Sequence, residues 1–200
     1  MNLTAFFSYI FLAAFTPGPN NIMAMSNSAR VGFRRGFVFC LGVLAGMLID
    51  MTLCAVFTSM LFEYIPKIAP VMKWVGALYI LFLAYTIFRD KPPSGEEGGN
   101  GREKRYVDPG SFSTGVVMQF VNIKVILYGI TALSTFVLPH SRSPLHVATA
   151  VLVLSLTGFA GTCNWALFGS LFQNIFNAHK KLANAIMALL LVYCAIVSLL

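Results

Sequence analysis

The sequence predicts an all-α integral membrane protein with six transmembrane helices, arranged as two halves of three. Hydrophobic residues make up 58% of the 200 residues and charged residues only 10%. A soluble domain carries about 25% charged residues, so this chain has too few of them to cover a surface that faces water. Apolar runs recur six times at close to the ~20 residues that a helix needs to cross a bilayer. A single long polar stretch separates the first three runs from the last three.

The six predicted spans follow one another along the chain with short links. They are Leu3–Met25, Gly36–Phe62, Val71–Phe88, Phe112–Leu138, Leu145–Phe168 and Leu182–Leu200. A turn is predicted at 63–70, where Pro66 and Pro70 stand. The polar stretch is rich in glycine, proline and charges of both signs, which is typical of a flexible tether. The chain therefore divides into a first half, 1–88, a cytoplasmic linker, 89–111, and a second half, 112–200.

The first span is interrupted by the motif Thr16–Asn21. Proline lacks an N–H to donate and its ring clashes with the preceding turn, so the helix must kink or break. Glycine permits the backbone angles that a break needs. Broken backbone at membrane depth is tolerated only where it is buried in protein or lines a wet cavity. The motif thus predicts a polar binding site that contains Pro17, Gly18, Pro19, Asn20 and Asn21; the alternative is a plain proline kink with its amides near the interface.

The basic residues predict the orientation of the chain. The first link, the linker and the link before the sixth span hold ten lysines and arginines between them, whereas the two remaining turns with their flanks hold three. The positive-inside rule places the three basic links in the cytoplasm, so both termini lie outside. Because the basic residues lie between apolar runs, the net charge of +7 does not indicate nucleic-acid binding.

Three spans per half imply that the second half enters the membrane from the opposite side, as in an inverted-topology repeat. The sequence agrees in two places. Asn20 and Asn21 break the first span where Asn122 breaks the fourth, and glycines recur in the second span of each half, as in Gly42-x-x-x-Gly46. Such glycines let helix backbones approach closely, and ordinary helix packing is the alternative explanation for them.

Two ionisable residues lie deep within predicted spans. Asp50 is roughly 21 Å from Gly36, and Lys124 is roughly 18 Å from Phe112, at a rise of about 1.5 Å per residue. Both spans start at the cytoplasmic face, so the two groups reach similar depth. A charge buried there usually finds a partner or a cavity, so we expect Asp50 and Lys124 to face a shared polar interior and to pair; the alternative is that each has separate partners.

Other polar residues of the fourth and fifth spans are candidates for the same interior. Gln119 and Asn122 are three residues apart and share a helix face. Lys124 is offset from Asn122 by about 200° on an ideal helix, so a common site requires the helix to unwind there. Asn164 either lines the same cavity or makes an interhelical hydrogen bond.

The sequence predicts neither a metal, nor a cofactor, nor an enzyme. The four cysteines all lie in apolar segments and act as small hydrophobic residues. The three histidines are spread over turns and helix ends, with no metal-ligand spacing. No catalytic triad, phosphate loop or zinc-protease motif appears.

The motifs together resemble those of the lysine-exporter (LysE/RhtB-type) family of bacterial amino-acid efflux proteins. The resemblance rests on Phe15–Asn21, on Gly32–Gly36 and on Gln119–Lys124, and it runs over nearly the whole length. The run Tyr128–Pro139 is similar to the cysteine/O-acetylserine exporter branch. Ile123 is a departure, because relatives often carry proline at that position.

The resemblance implies a multi-pass protein of the bacterial inner membrane that exports small neutral amino acids by proton-coupled antiport. Its partners would be the amino acid, the lipid bilayer and the proton gradient, with a homo-oligomer left open. Helix N-termini and Lys124 would hold the substrate carboxylate, the amides its ammonium group, and Asp50 would exchange a proton. The alternatives are a non-transporting membrane scaffold or assembly protein, and a passive channel.

Overall fold

The structure is a computed structural model that describes residues 2–89 and 110–199. Every regular element in these two ranges is helical. The elements are α1 (Leu3–Phe15), α2 (Pro19–Val31), α3 (Phe33–Arg89), α4 (Phe112–Val121), α5 (Ile123–Ala132) with a π-helical continuation (Leu133–Val137), α6 (Pro144–Leu171), α7 (Gln173–Ala178) and α8 (Lys180–Leu199). The predicted linker 89–111 lies almost wholly outside the described residues.

Four helical segments of the described chain are long and apolar enough to cross a membrane. They are Phe33–Phe57, Val71–Arg89, Pro144–Leu171 and Lys180–Val197. Phe112–Val121 and Ile123–Val137 together form a fifth apolar segment, which bends by 65°. The first predicted span is divided between α1, which is apolar but only 13 residues long, and the polar α2. The structure therefore shows an all-helical protein with four or five candidate spans.

The long helix α3 contains the second and third predicted spans. Its backbone leaves helical geometry at Phe57 (φ −103°, ψ 15°). The predicted turn at 63–70 was wrong, because these residues are helical and the break comes earlier in the chain. A proline removes one backbone hydrogen bond and bends a helix without necessarily ending it, so the two prolines were a poor guide to where the chain reverses.

Both predicted helix breaks are confirmed. The chain between α1 and α2 is extended at Thr16 (φ −67°, ψ 149°) and at Gly18 (φ −167°, ψ 171°), and α2 begins with Pro19. Proline suits this first helical position, where its missing N–H would have no partner within the helix. The second break is at Asn122 (φ −89°, ψ 94°), between α4 and α5. Extended backbone there lets Asn122 and Lys124 contribute to one site.

The most polar helix of the bundle, α2, is also the most buried. Ten of its 13 residues are buried, among them Asn20, Asn21, Ser26, Asn27 and Ser28. The helices α3 and α6 pack on either side of it, and α8 contacts it as well. A helix with this composition cannot face lipid, where its side chains would lose their hydrogen-bond partners. The apolar helices therefore enclose it.

Contacts between neighbouring helices give their relative directions. Gly42 and Gly46 of α3 pack against Phe112 and Val116 of α4, so the two run in parallel. Gly76 packs against Val121, and Tyr79 bonds to Thr114, so the later part of α3 runs antiparallel to α4. The chain thus reverses direction within α3.

A second set of contacts orients α6. The free thiols of Cys40 and Cys163 form a hydrogen bond, and Met47 packs against Gly158, so α6 runs antiparallel to the first part of α3. The backbone of α6 meets Ala14 of α1 at Gly161, and Met25 of α2 at Gly169. The pair α1–α2 is therefore parallel to α6. It follows that the two broken segments, α1–α2 and α4–α5, run in opposite directions through the bundle.

Helices α3 and α4 approach most closely at a pair of glycines. A Cβ on Gly42 would collide with the carbonyl oxygen of Phe112, and a Cβ on Gly115 would lie 2.9 Å from the backbone nitrogen of Val43. Backbone atoms cannot yield as the end of a flexible side chain can. The contact between the two helices therefore requires that these residues have no side chain.

Replacing Gly42 by alanine should destabilise the bundle, because the new methyl group forces α3 away from α4. Overpacking of this kind costs about 1–3 kcal/mol. The measurement is the temperature at which half of the purified protein in detergent remains monodisperse. Leu41→Ala is the control, since Leu41 is 40% exposed on the same helix. Equal midpoints for Gly42→Ala and Leu41→Ala would contradict the close approach.

Candidate functional site

The end of α1 lies against α2, α5 and α6, and its last carbonyl groups have no partners within the helix itself. Two side chains from other helices donate hydrogen bonds to these carbonyl oxygens. The Asn21 amide nitrogen donates to the carbonyl oxygens of Ala14 and Thr16, each at 2.9 Å. The Trp165 indole nitrogen of α6 donates to the carbonyl oxygen of Phe15 at 3.0 Å. The break is thus held by hydrogen bonds from α2 and α6.

A third donor to the same break is Lys124, from the first turn of α5. Its ammonium nitrogen lies 3.0 Å from the hydroxyl oxygen of Thr16, 3.2 Å from the Thr16 carbonyl oxygen and 3.4 Å from that of Pro17. The carboxyl end of a helix carries partial negative charge, so a cation is stabilised there. These three contacts match the three protons of an ammonium group.

Lys124 does not pair with Asp50, which corrects the expected ion pair. The ammonium group is directed at the break, while Asp50 is 5% exposed on α3. The Oδ2 atom of Asp50 has no hydrogen-bond partner among the described residues. The physical reason is that backbone carbonyls at the break provide the lysine with partners of their own. Asp50 and Lys124 thus have separate surroundings, as the alternative expectation held.

The two helix breaks meet through a network of three amides. The Asn20 amide nitrogen donates to Gln119 Oε1 at 2.8 Å, and the Asn122 amide nitrogen donates to Asn20 Oδ1 at 3.3 Å. Gln119 donates in turn to the carbonyl oxygen of Gly115 at 2.7 Å. Asn122 Oδ1 accepts from the backbone nitrogen of Lys124 at 3.2 Å and so caps α5. This network joins the first half of the chain to the second.

A small central cavity lies where the breaks meet. Its volume is about 40 Å³, and it is lined by Ala13, Ala14, Gly18, Asn20, Asn21, Met47, Asn122, Lys124, Val125, Tyr128, Gly158 and Thr162. This is space for about two or three water molecules. Pockets for small molecules usually measure about 300–1,000 Å³. The centre of the bundle is therefore closed to an amino acid in this conformation.

A larger cleft adjoins the central cavity between α1 and α8, and we call it the α1–α8 cleft. It has a volume of about 600 Å³ and is lined by Tyr9, Ala13, Pro17, Gly18, Pro19, Lys73, Asn122, Ile123, Lys124, Leu127, Tyr128, Tyr193, Cys194 and Val197. Five of these residues also line the central cavity. Another groove, of about 1060 Å³ between α3 and α6, contains none of the sequence-predicted site residues.

Comparison with known proteins gives the family of this chain. Residues 11–200 match the model of a family described as LysE type translocator. The chain belongs to the LysE type translocator family. Similar proteins include three named cysteine/O-acetylserine efflux protein. That of Salmonella typhimurium is 44% identical over 196 residues, 98% of this chain and 96% of the relative.

Two further relatives of the family carry the same name. The protein of Klebsiella pneumoniae is 42% identical over 194 residues, covering 97% of this chain and 95% of its own length. That of Escherichia coli strain K12 is 41% identical over 194 residues, with the same coverage of both chains. No solved structure matches the chain.

The structure gathers the residues that the translocator motifs singled out, but in different positions. Gly18, Asn20, Asn21, Asn122 and Lys124 line the central cavity. Pro17 and Pro19 line only the α1–α8 cleft, and Gln119 lies behind Asn20 in the amide network.

Two residues of the site had no distinct signal in the sequence. Thr162 donates to Asn21 Oδ1 at 3.3 Å and lines the central cavity, whereas the neighbouring candidate Asn164 is exposed. A threonine in an apolar helix often bonds only to its own backbone, as Thr162 also does at Gly158. Tyr128 lines both cavities while donating to the carbonyl oxygen of Leu154 at 3.2 Å.

Replacing Asn21 by aspartate should destabilise this translocator, because the carboxylate cannot donate to the carbonyl oxygens of Ala14 and Thr16. The Ala14 carbonyl oxygen then loses its donor, at a cost of about 1–3 kcal/mol, whereas the Thr16 carbonyl oxygen keeps Lys124. Thermal unfolding in detergent measures the effect. Asn174→Asp serves as the control, because Asn174 is exposed on α7. The proposed role of Asn21 fails if both aspartate variants unfold at the wild-type temperature.

Proposed function

We propose that this protein is a secondary active exporter of small neutral amino acids of the cysteine and O-acetylserine class. It works in the bacterial inner membrane as a proton-coupled antiporter. The observation that carries the proposal is the meeting of two helix breaks in a network of buried amides, beside the partly exposed amine of Lys124. Broken helices at the middle of a bundle are where transporters bind substrates. The names of the relatives supply the substrate class.

The proposed topology has six crossings, with α1 and α2 together forming the first. The opposite directions of α1–α2 and α4–α5 support an inverted repeat of two three-helix units. Each unit is a broken segment followed by two long helical segments, and the units are 1–88 and 112–200 with the linker between them. Positive-inside counting places both termini in the periplasm. Movement of the two broken segments relative to the other helices would then open the central site to one side of the membrane at a time.

Substrate binding uses the groups around the central cavity. The amino end of α2 has no side-chain cap, since Gly18 is the residue before it, and its partial positive charge suits a carboxylate. Lys124 adds a full positive charge on the same wall. The side-chain oxygens of Asn20 and Asn21 are available to the substrate's ammonium group when the network opens. None of the described residues that line this cavity is acidic, so a third charged group on the substrate, as in lysine or arginine, gains no partner from them.

Opening of the cavity is coupled to binding through Lys124. The ammonium group now caps α1, and a substrate carboxylate competes with the carbonyl oxygens of Thr16 and Pro17 for its protons. When the carboxylate is bound, the end of α1 loses a stabilising donor and becomes free to move. Release of the substrate restores the cap. Lys124 thereby links the presence of substrate to the geometry of the break.

Proton coupling is assigned to Asp50. This carboxyl group lies within the bundle on α3 and is 5% exposed. An ionised carboxylate without a hydrogen-bond donor is costly in such a place, so the group has a reason to take up a proton. Its oxygen Oδ2 has no partner in the described part of the chain. Proton uptake from the periplasm and release to the cytoplasm would then drive export.

Export from loaded cells tests the function together with the role of Lys124. Cells that express the protein should release O-acetylserine and cysteine faster than cells without it, and lysine and arginine at unchanged rates. Lys124→Gln retains two N–H donors for the break and loses the charge that holds a carboxylate. We therefore expect near-normal thermal stability. Export should fall by about tenfold or more, because a charge-assisted hydrogen bond to the substrate carboxylate contributes about 1.5–3 kcal/mol.

Two further variants separate capping from substrate binding. Lys124→Met removes the donors as well, so it should lose both stability and export. Lys181→Gln, at an exposed position on α8, should change neither. Expression that leaves efflux of all four amino acids unchanged would refute the exporter and favour a membrane scaffold.

Replacing Asp50 by asparagine should uncouple transport from the proton gradient. Asparagine resembles the protonated acid, so exchange of labelled for unlabelled O-acetylserine across vesicles should continue. Accumulation driven by a pH gradient should fall to the level of empty vesicles. Thr52→Ala is the control, because Thr52 is exposed on the same helix and bonds only to its own backbone at Leu48. Gradient-driven accumulation that survives in Asp50→Asn would remove Asp50 from this role.

A further inference from the structure

The α1–α8 cleft has the size of a ligand site, which the central cavity lacks. Its volume of about 600 Å³ falls in the usual range for small-molecule pockets of about 300–1,000 Å³. It shares Ala13, Gly18, Asn122, Lys124 and Tyr128 with the central cavity. The two spaces are therefore neighbours that share part of their walls.

The cleft is positively charged. Two lysines, Lys73 and Lys124, line it, and none of the described residues in its wall is an aspartate or a glutamate. The protons of Lys124 are engaged at the helix break. Lys73 is half-buried and makes no hydrogen bond or ion pair with any residue in the ranges that the structure describes. An ammonium group in a membrane protein without an opposite charge is costly, which calls for an anion to accompany it.

The position of Lys73 follows from the packing of α3 on α4. Gly76 meets the carbonyl group of Val121, the last residue of α4. This part of α3 runs antiparallel to α4, so Lys73, one turn earlier, lies beyond the end of α4 at the second helix break. The lysine thus reaches the α1–α8 cleft from α3, close to the second helix break. Its charge and that of Lys124 flank one path.

We propose that the α1–α8 cleft is a second binding site for the carboxylate of the transported amino acid, and that Lys73 is the residue that holds it. The site rests on the proposed function, since it supplies a station between the central cavity and the outside. Two cations without a neighbouring acid raise the local concentration of anionic groups and repel a cationic side chain. Lys73 therefore also contributes to selection against lysine and arginine.

Cys194 provides a probe that is independent of transport. It lines the same cleft and is partly exposed, while Cys40 and Cys54 are buried. Cys163→Ala removes the other partly exposed thiol. In this background the thiolate of Cys194 attacks a methanethiosulfonate reagent; a mixed disulfide forms, methanesulfinate leaves, and the thiol proton goes to solvent. The rates are compared for a reagent with a negative sulfonatoethyl group and one with a positive trimethylammonioethyl group.

Lys73→Gln should lower the ratio of negative-reagent to positive-reagent rates by about fivefold, because the lost charge acts on the two reagents with opposite sign. Lys181→Gln, which removes the same charge from an exposed site on α8, should leave the ratio unchanged. O-acetylserine, which has no thiol, should slow the labelling of Cys194. In Lys73→Gln, the concentration of O-acetylserine that halves the labelling rate should be about fivefold higher. Cys194→Ala shows how much labelling occurs elsewhere.

Equal rate ratios in Lys73→Gln and Lys181→Gln would overturn the proposal, as would labelling that O-acetylserine does not slow. Thermal unfolding of each variant confirms that it is folded. The labelling result does not depend on export. A protein that exports neither compound would refute the proposed function, and the rate ratio would still report on the charge of Lys73.

Discussion

The carbonyl groups at the end of α1 have no partner within their own helix, and this is the constraint on which the rest of the structure depends. A helix that ends inside a bilayer leaves acceptors that lipid cannot satisfy, and each costs several kcal/mol. Here the donors come from Asn21 of α2, Lys124 of α5 and Trp165 of α6. Because α5 and α6 are distant from α1 in sequence, two of the three donors reach the break only when the bundle has assembled. A locally costly feature thus specifies the global packing.

The polar helix α2 has the same consequence on a larger scale. Its buried asparagines and serines need protein on every side, and α3 and α6 provide it from the two halves of the chain. Neither half could enclose α2 alone. The close contacts at Gly42 and Gly115 bring α3 and α4 near enough for Gln119 to reach Asn20. Small residues at the interface therefore determine whether the amide network can form.

The two helix breaks could be predicted because local chemistry causes them, whereas the long-range partners of the side chains could not. Pro19 and Gly18 act on their own backbone, and the amide at Asn122 replaces helical geometry with its own cap, so both breaks could be inferred from sequence. The partners of Lys124 could not, because two are backbone carbonyls, which every residue has, and the third is an uncharged threonine hydroxyl. An ion pair with Asp50 was the only visible candidate. The bend at Phe57 likewise has no local signal, whereas the prolines beyond it misplaced the predicted turn.

The three donors to the break differ in how readily each would leave the α1 carbonyl oxygens for a substrate carboxylate. Asn21 and Trp165 are neutral, and the indole has a single N–H, so a substrate carboxylate competes weakly for their hydrogen bonds to the helix end. Lys124 is charged, and its hydrogen bond to an anion is stronger than one to a carbonyl oxygen. A ligand can shift a conformational equilibrium only by its differential affinity for the two states. Among the three donors, the lysine is the one whose affinity for a substrate carboxylate exceeds its affinity for α1, so it is the contact through which binding can move the break.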